Sequence, residues 1–294
     1  MELKTGENDK GRRLDRVLRK ALPEYPLPLL HRLLRQGLVL VDGKPSKAQT
    51  RVDCGAVITI PLKQADGRHT KPKPALPACA LPSPDVIWQG PGLIAVNKPS
   101  GIAIHGPGSL DAAVGSFLAD KLPPSLSFKP GPLHRLDKSS SGIVVFSTNI
   151  EGARMFSALM REQKVRKTYL ALVEGTIDKD EAWKDELVRD TEKRKTLISQ
   201  SRSASSKTAV TFIKPLAANG GYCLIMAEIQ TGRTHQIRAQ AAARGRPLAG
   251  DRKYGGHGQG GFFLHAWKLE FLEYAIEAPL PEAFRERIRN FNHE

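Results

Sequence analysis

Pro132-Leu133-His134-Arg135-Leu136-Asp137-Lys138-Ser139-Ser140-Ser141-Gly142-Ile143-Val144-Val145-Phe146 is a polar loop that runs straight into an apolar segment. Ile143 to Phe146 are β-branched or aromatic, with Gly142 before them and Ser147-Thr148-Asn149 after, the pattern of a buried strand. The loop offers one carboxylate, Asp137, between two cations, Arg135 and Lys138. Loops fixed to rigid strands are where reactive groups tend to sit. Asp137 is therefore the first candidate for chemistry.

Outward from this stretch, strand signals outnumber helix signals. Residues 86–88 and 93–98, separated by Gln89-Gly90-Pro91-Gly92, read as a hairpin. Strands are also predicted at 168–175, 208–214, 222–230 and 262–271, and helices at 111–122, 151–164, 234–244 and 281–289. Residues 178–207 are charged and weakly patterned and read as an exposed insertion, and 255–261 as a flexible glycine-rich loop. Hairpin-linked strands of this kind imply an α+β fold, a mostly antiparallel central sheet flanked by helices and loops, rather than a parallel βαβ array.

The N-terminal part has another character. Leu14, Val17, Leu18, Ala21 and Leu22 recur at helical spacing and stop at Pro23. A second apolar stripe, Leu29, Leu30, Leu33 and Leu34, starts after Pro28 and stops at Gly37. Short strands at 38–41 and 56–60 follow, with Asp42-Gly43 as a tight turn. Residues 1–63 carry 13 Lys/Arg against 7 Asp/Glu, while 64–84 are rich in proline without apolar periodicity. The chain divides into a small basic α/β domain (1–63), a linker (64–84) and a large body (85–294).

The whole chain has 294 residues, 40% of them hydrophobic, enough for a real core. Its 45 Lys/Arg against 30 Asp/Glu leave +15, which points to a polyanionic partner, nucleic acid first. Cys54, Cys79 and Cys223 lie far apart, without metal-ligand spacing or a disulfide framework, as in a reducing compartment. No apolar run approaches the ~18 residues of a membrane helix, and the charged N-terminus has no signal-peptide core. A cytoplasmic protein with no membrane partner is expected, with monomer as the default state.

Three other chemistries fit poorly. His134, Asp137 and Ser141 have the composition of a hydrolase triad, but all three lie on one loop, whereas triad groups converge from separately anchored segments. The glycine run lacks the lysine of a phosphate-binding loop. His105, His134, His235 and His265 show no helical metal-ligand spacing, so no metal is expected.

Two sets of motifs carry a resemblance. Residues 11–62, through Arg12-Arg13-Leu14-Asp15-Arg16-Val17-Leu18 and the run from Leu33 to Lys44, resemble the small RNA-binding domain named after ribosomal protein S-four. Arg12, Arg16, Arg32, Arg35 and Lys44 would then face a phosphate backbone. In the body, five segments follow one another in order. They are Asn97-Lys98-Pro99-Ser100-Gly101, then His134-Arg135-Leu136-Asp137 with Ser141-Gly142, and Lys167-Thr168-Tyr169-Leu170-Ala171. Thr231-Gly232-Arg233-Thr234-His235-Gln236-Ile237-Arg238 and Gly250-Asp251-Arg252-Lys253-Tyr254-Gly255 complete the order, with Leu264-His265-Ala266 after them. Together these resemble the RluA-type pseudouridine synthases over about residues 85–275.

That resemblance implies isomerisation of uridine to pseudouridine in RNA, with large-subunit ribosomal RNA as the expected substrate, transfer RNA as the alternative, and no cofactor. It assigns Asp137 as the essential aspartate, Tyr169 as the active-site tyrosine and Arg238 as the basic partner of Asp137. Arg135 would fill the gap left by a flipped base, and His134, Arg233, His235 and Gln236 would contact substrate. Position 140 is Ser where the family usually has Thr. A uridine within a helix hides its glycosidic bond, so base flipping is expected. A carboxylate can trap the intermediate, an arginine beside it favours the ionised form, and a tyrosine ring can stack on the base or its phenol help remove the carbon 5 proton. Whether Asp137 attacks the sugar, adds to the base or removes a sugar proton is open at this stage. A non-catalytic RNA-binding or ribosome-assembly factor is the rival reading.

Overall fold

The computed structural model describes residues 1–62, 83–199, 201–258 and 261–291, so most of the expected linker lies outside the described residues. Two separate sheets organise the chain. The smaller has β1 (Glu2–Lys4), β2 (Leu40–Val41), β3 (Lys44–Pro45) and β4 (Val57–Thr59) in the order β1-β4-β2-β3. Helices α1 (Leu14–Ala21) and α2 (Leu27–Arg35) pack on it, with Leu14, Val17, Leu18, Leu30, Leu33 and Leu34 meeting Val39, Ile58 and Ile60. These are the apolar stripes read from helical spacing. Asp42 and Gly43 both take positive φ (50° and 77°), as a two-residue turn matched to strand twist requires.

The larger sheet holds β5 (Val86–Gly90), β6 (Leu93–Lys98), β7 (Gly131–Pro132), β8 (Ser141–Ser147), β9 (Arg166–Glu174) and β10 (Glu181–Asp190). It continues with β11 (Lys195–Ser199), β12 (Lys207–Asn219), β13 (Tyr222–Ile229), β14 (Leu264–Phe271) and β15 (Tyr274–Glu277). The order is β11-β10-β12-β13-β9-β14-β8-β6-β5, with β15 on β14 and β7 on β8. Helices α3 (Leu110–Leu118), α4 (Ile150–Arg161), α5 (Gln236–Ala243) and α6 (Glu282–Ile288) flank it. The fold is α+β and mostly antiparallel, as its sequence implies. Among the described residues the exception is β8 beside β14, which run parallel through Ser141↔His265 and Gly142↔Ala266. Gly142 is required there: its φ is 108°, and a Cβ would overlap the Ala266 backbone. All seven residues of β8 are buried.

One expectation is corrected. Residues 178–207, read as an exposed insertion, are part of the sheet, because β10 and β11 form a hairpin that extends it through β12. Trp183, Leu187 and Thr196 are its buried side chains, and the charged residues between them face outward. At a sheet edge, one charged face masks the two-residue period.

The small unit touches the body through a buried carboxylate. Asp9 Oδ1 accepts from Ser125 Oγ (2.8 Å), the Ser127 amide (2.9 Å) and Ser127 Oγ, and its Oδ2 accepts from the amides of Gly6 and Leu126 (both 2.9 Å). Burial alone would raise the Asp9 pKa, but these hydrogen bonds outweigh it and hold the carboxyl below its usual range. Arg12 Nη1 donates to the Ser127 carbonyl (2.9 Å), Ile150 N donates to Asn8 Oδ1 (2.9 Å), and Leu126 packs on the small core.

Candidate active site

The loop before β8 is held from below by Lys98, at the end of β6. Its ammonium is fully buried and donates to the carbonyls of Pro99 (2.8 Å), Ile102 (2.8 Å) and Lys138 (3.0 Å). Burial pulls its pKa down to about 8, against the opposing pull of Asp137. Gly101 N bonds the Lys138 carbonyl (2.9 Å) and Ser100 Oγ the Ser139 carbonyl (2.7 Å). Ser140 N closes the turn on the Asp137 carbonyl (3.1 Å). One residue on, Ser141 Oγ meets His265 Nδ1 (2.9 Å), while His265 Nε2 meets the Ala278 carbonyl (3.1 Å). A carbonyl only accepts, so the proton is on Nε2 and Ser141 donates to Nδ1.

Above this loop lies a cavity of about 70 Å³ lined by Arg135, Asp137, Tyr169, Arg233, His235 and Arg238, with Ile229 and Leu264 among its apolar walls. Three separate elements thus bring the expected trio together. Tyr169 sits mid-strand on β9 between Ala227 and Ala266, two small neighbours that leave room beside its ring. Burial, with the charge of Asp137 added, pushes its phenol well above the usual range. The phenol therefore stays protonated at neutral pH and is a poor base; a flat apolar face is what it offers.

Arg238, on α5, is clamped before it reaches the cavity. Its Nε and Nη2 donate to the two oxygens of Asp251 (2.7 and 2.8 Å), leaving Nη1 to donate to Asp137 Oδ2 at 2.8 Å. Phe262 and Tyr254 cover its guanidinium, with ring centres 4.2 and 4.9 Å away. Burial opposes its charge, but the bonds to Asp251 and Asp137 outweigh that and raise its pKa. Asp137 Oδ1 has no hydrogen-bond partner among the described residues, and the side chain is 24% exposed. The anchored cation fixes one oxygen of a carboxylate that lines the cavity and leaves the other without a hydrogen bond among the described residues.

His235 begins α5 in the left-handed region (φ 53°), and its Nδ1 meets the Tyr254 hydroxyl at 2.9 Å. Its Nε2 stands 3.7 Å from Asp137 Oδ2, too far for a hydrogen bond. Burial takes its pKa down to about 4 despite Asp137, so the ring is neutral at pH 7. Arg135 is exposed at the mouth, and Arg233 donates Nε to the Thr208 carbonyl (3.0 Å) with the rest of its guanidinium free.

Two of the residues expected to contact substrate are placed differently from the rest. His134 does not line the cavity. Its Nε2 accepts from Val145 N (3.1 Å), its ring stacks on Phe156, and burial, with Lys167 nearby, lowers its pKa to about 4. Side chains alternate along the extended segment, so His134 faces α4 while Arg135 faces out. Gln236 lines the cavity, but its amide is fully committed. Oε1 accepts from Thr231 Oγ1 and Arg233 N, and Nε2 donates to Val210 O and Thr211 Oγ1. With two donors and two acceptors used, it shapes the turn into α5 and has no bond left for a substrate. Lys98, Asp251 and Tyr254 are the positioning residues whose roles sequence reasoning missed. They stand in quoted motifs, yet nothing in their spacing says what they hold. Among the described residues, no group of three or more His, Cys, Asp or Glu is arranged to hold a metal ion, and no helix is long and apolar enough to cross a membrane.

Residues 92–243, which include β8, Asp137, Tyr169 and Arg238, match the family described as RNA pseudouridylate synthase. The chain belongs to this family. It is thus an RNA pseudouridine synthase, an isomerase, and residues 12–58 match the S4 domain. Ribosomal large subunit pseudouridine synthase C of Vibrio vulnificus is 32% identical over 93% of this chain and 89% of that protein. An uncharacterised RNA pseudouridine synthase of Bacillus subtilis is 30% identical over 99% and 97%. Ribosomal large subunit pseudouridine synthase D of Neisseria meningitidis is 29% identical over 92% and 76%. In structure, human RNA pseudouridylate synthase domain containing 4 superposes on 70% of this synthase and 92% of its own chain, with TM-score 0.61 and 21% identity.

Proposed function

We propose that the chain converts uridines of large-subunit ribosomal RNA to pseudouridine, with Asp137 as the group that reacts with the flipped nucleotide. One observation carries this reading: a carboxylate lining a cavity beside a tyrosine ring, with one oxygen fixed by a clamped arginine and the other unpartnered among the described residues. A cavity of about 70 Å³ has room for about five waters, the scale of one flat heterocycle. The base must leave its helix to enter, at a cost of a few kcal/mol. Arg135 at the mouth supplies a planar cation for the vacated stack or a phosphate. Tyr169 stacks on the base; its protonated phenol argues against a role as the resting base. Arg238 keeps its charge in this buried site and stabilises Asp137 as the glycosidic bond breaks. Arg16, Arg32, Arg35 and Lys44 are exposed on the small domain, where they meet the RNA backbone. The naming of relatives as ribosomal large subunit synthases supports the choice of substrate.

The test is pseudouridine mapping on total RNA with and without the gene, followed by modification of the identified RNA in vitro by purified wild type and Asp137→Asn. Sites lost from large-subunit ribosomal RNA, and their restoration by wild type alone, are expected. Sites lost from transfer RNA instead would overturn the substrate, and turnover by Asp137→Asn would overturn the role of Asp137.

A further inference from the structure

Where the small domain meets the body there is a second opening, a cleft of about 610 Å³. Arg12, Arg19 and Lys20 line it from the small domain, and Phe128, Lys129 and Ser147 from the body. On α1, Arg19 and Lys20 fall one helical turn after Arg16, so these three share a face, and Arg12 stands just before the helix. Arg16 and Arg154 stand close enough to Arg12 to repel its charge. Asp9, beside Arg12, is fully buried and accepts hydrogen bonds from neutral donors. None of Arg16, Arg19, Lys20, Lys129 or Arg154 forms an ion pair among the described residues. Cations drawn from both units thus gather at one opening in excess of counter-charge: Asp9 favours the charge of Arg12, while Arg16 and Arg154 repel it. That is the electrostatic footprint of a polyanion.

The cleft is also far from the cavity. Asp137 precedes the start of β8, and Ser147, which lines the cleft, is its last residue. Six residue steps along a strand span about 20 Å. A ligand reaching both places is an extended chain with charge along its length.

We propose that the junction cleft takes the sugar–phosphate backbone of a helical segment of the substrate RNA, about 20 Å or more from the target uridine, so that the two units grip the RNA jointly. This rests on the proposed RNA substrate but assigns a new contact surface, half of it on the body. It also makes the Asp9 contact functional, since that contact sets the spacing between the cations of the two units.

Binding measured in the Asp137→Asn background tests this, with deproteinised large-subunit ribosomal RNA as one probe and a stem–loop of about five base pairs as the other. At no more than about 3.4 Å per pair, that stem spans about 17 Å at most and cannot bridge the two sites. Lys129→Gln/Arg154→Gln and Arg19→Gln/Lys20→Gln should each weaken binding to the long RNA about 10-fold. Each should lower the slope of log affinity against log salt by about 2, and neither should alter binding to the stem–loop. Lys179→Gln/Lys184→Gln removes the same charge away from the cleft and should leave the slope on the long RNA unchanged; melting temperatures confirm that all variants fold. Cleft variants that do no more than this control, or that weaken both probes equally, would overturn the proposal. Normal pseudouridine yield alongside that result would leave the enzymatic reading intact, whereas a wild type making no pseudouridine would remove that reading and leave the binding result standing.

Discussion

Two aspartates, Asp9 at the domain junction and Asp137 at the cavity, show how the same side chain is put to opposite uses. Asp9 is fully buried and accepts five hydrogen bonds, all from neutral amides or hydroxyls. Its oxygens have nothing left to offer, and its charge is spread over two units of the protein. Asp137 accepts a single side-chain hydrogen bond, from a cation, and is partly open. A carboxylate saturated by donors holds structure together; one that is aimed but left incomplete can do chemistry. The neighbours, rather than the residue type, decide which.

The contrast makes Asp137→Asn the most disruptive change for activity and a mild one for stability. Pseudouridine formation should fall below detection while the melting temperature moves by no more than a few degrees; large unfolding would mean that Asp137 is structural. Asp251→Asn comes next. Arg238 keeps its partner oxygen but loses the charge that fixes its fork, and a guanidinium displaced by about 1 Å should lower kcat about 100-fold with little change in KM. A pure KM effect would show that the clamp serves binding alone.

Asp9→Asn should invert the pattern. An amide nitrogen would oppose the Gly6 and Leu126 donors, costing on the order of 3 kcal/mol in the unfolding free energy, with cavity chemistry on a short RNA preserved. The pH dependence has a definite sign. The folded pKa of Asp9 lies below its unfolded value, so its stabilisation is complete above about pH 4 and is lost as pH falls through the folded value. Denaturant unfolding from pH 6 to pH 2 should show the gap between wild type and variant closing; a constant gap would mean the carboxylate contributes nothing as an anion.

Lys98→Met is read through the pH dependence of stability alone. Its folded pKa of about 8 lies below the unfolded ~10.4, so between these values the unfolded chain binds more protons and stability rises with pH. Wild type should gain on Lys98→Met over that interval, a difference readable in parallel unfolding curves.

Much of the architecture was legible because burial leaves a periodic trace. Ile143 to Phe146 announce a strand covered on both faces, and α1 and α2 announce their stripes. The three residues of β1 carry no pattern of their own and pair only with distant β4. The β10–β11 hairpin was hidden by its charged outer face. In the site, the order of motifs located Asp137, Tyr169 and Arg238, which three separate segments bring together. It did not separate Arg135, facing out, from His134, facing α4, because neighbouring positions on an extended chain share a motif but point to opposite sides. Nor could it reveal Asp9 or Lys98, whose partners are largely backbone groups with no residue signature.

The parallel contact between β8 and β14 explains why there is a cavity at all. In an antiparallel hairpin, a turn caps the end where one strand gives way to the next. Two strands that set off in the same direction have neighbouring starting points that no hairpin can bridge, so each is fed by chain arriving from elsewhere. Here those feeds are the Asp137 loop and the segment carrying Phe262, which covers Arg238. The uncapped gap between them is the doorway, and any rearrangement that let these strands be joined by a tight turn would shut it.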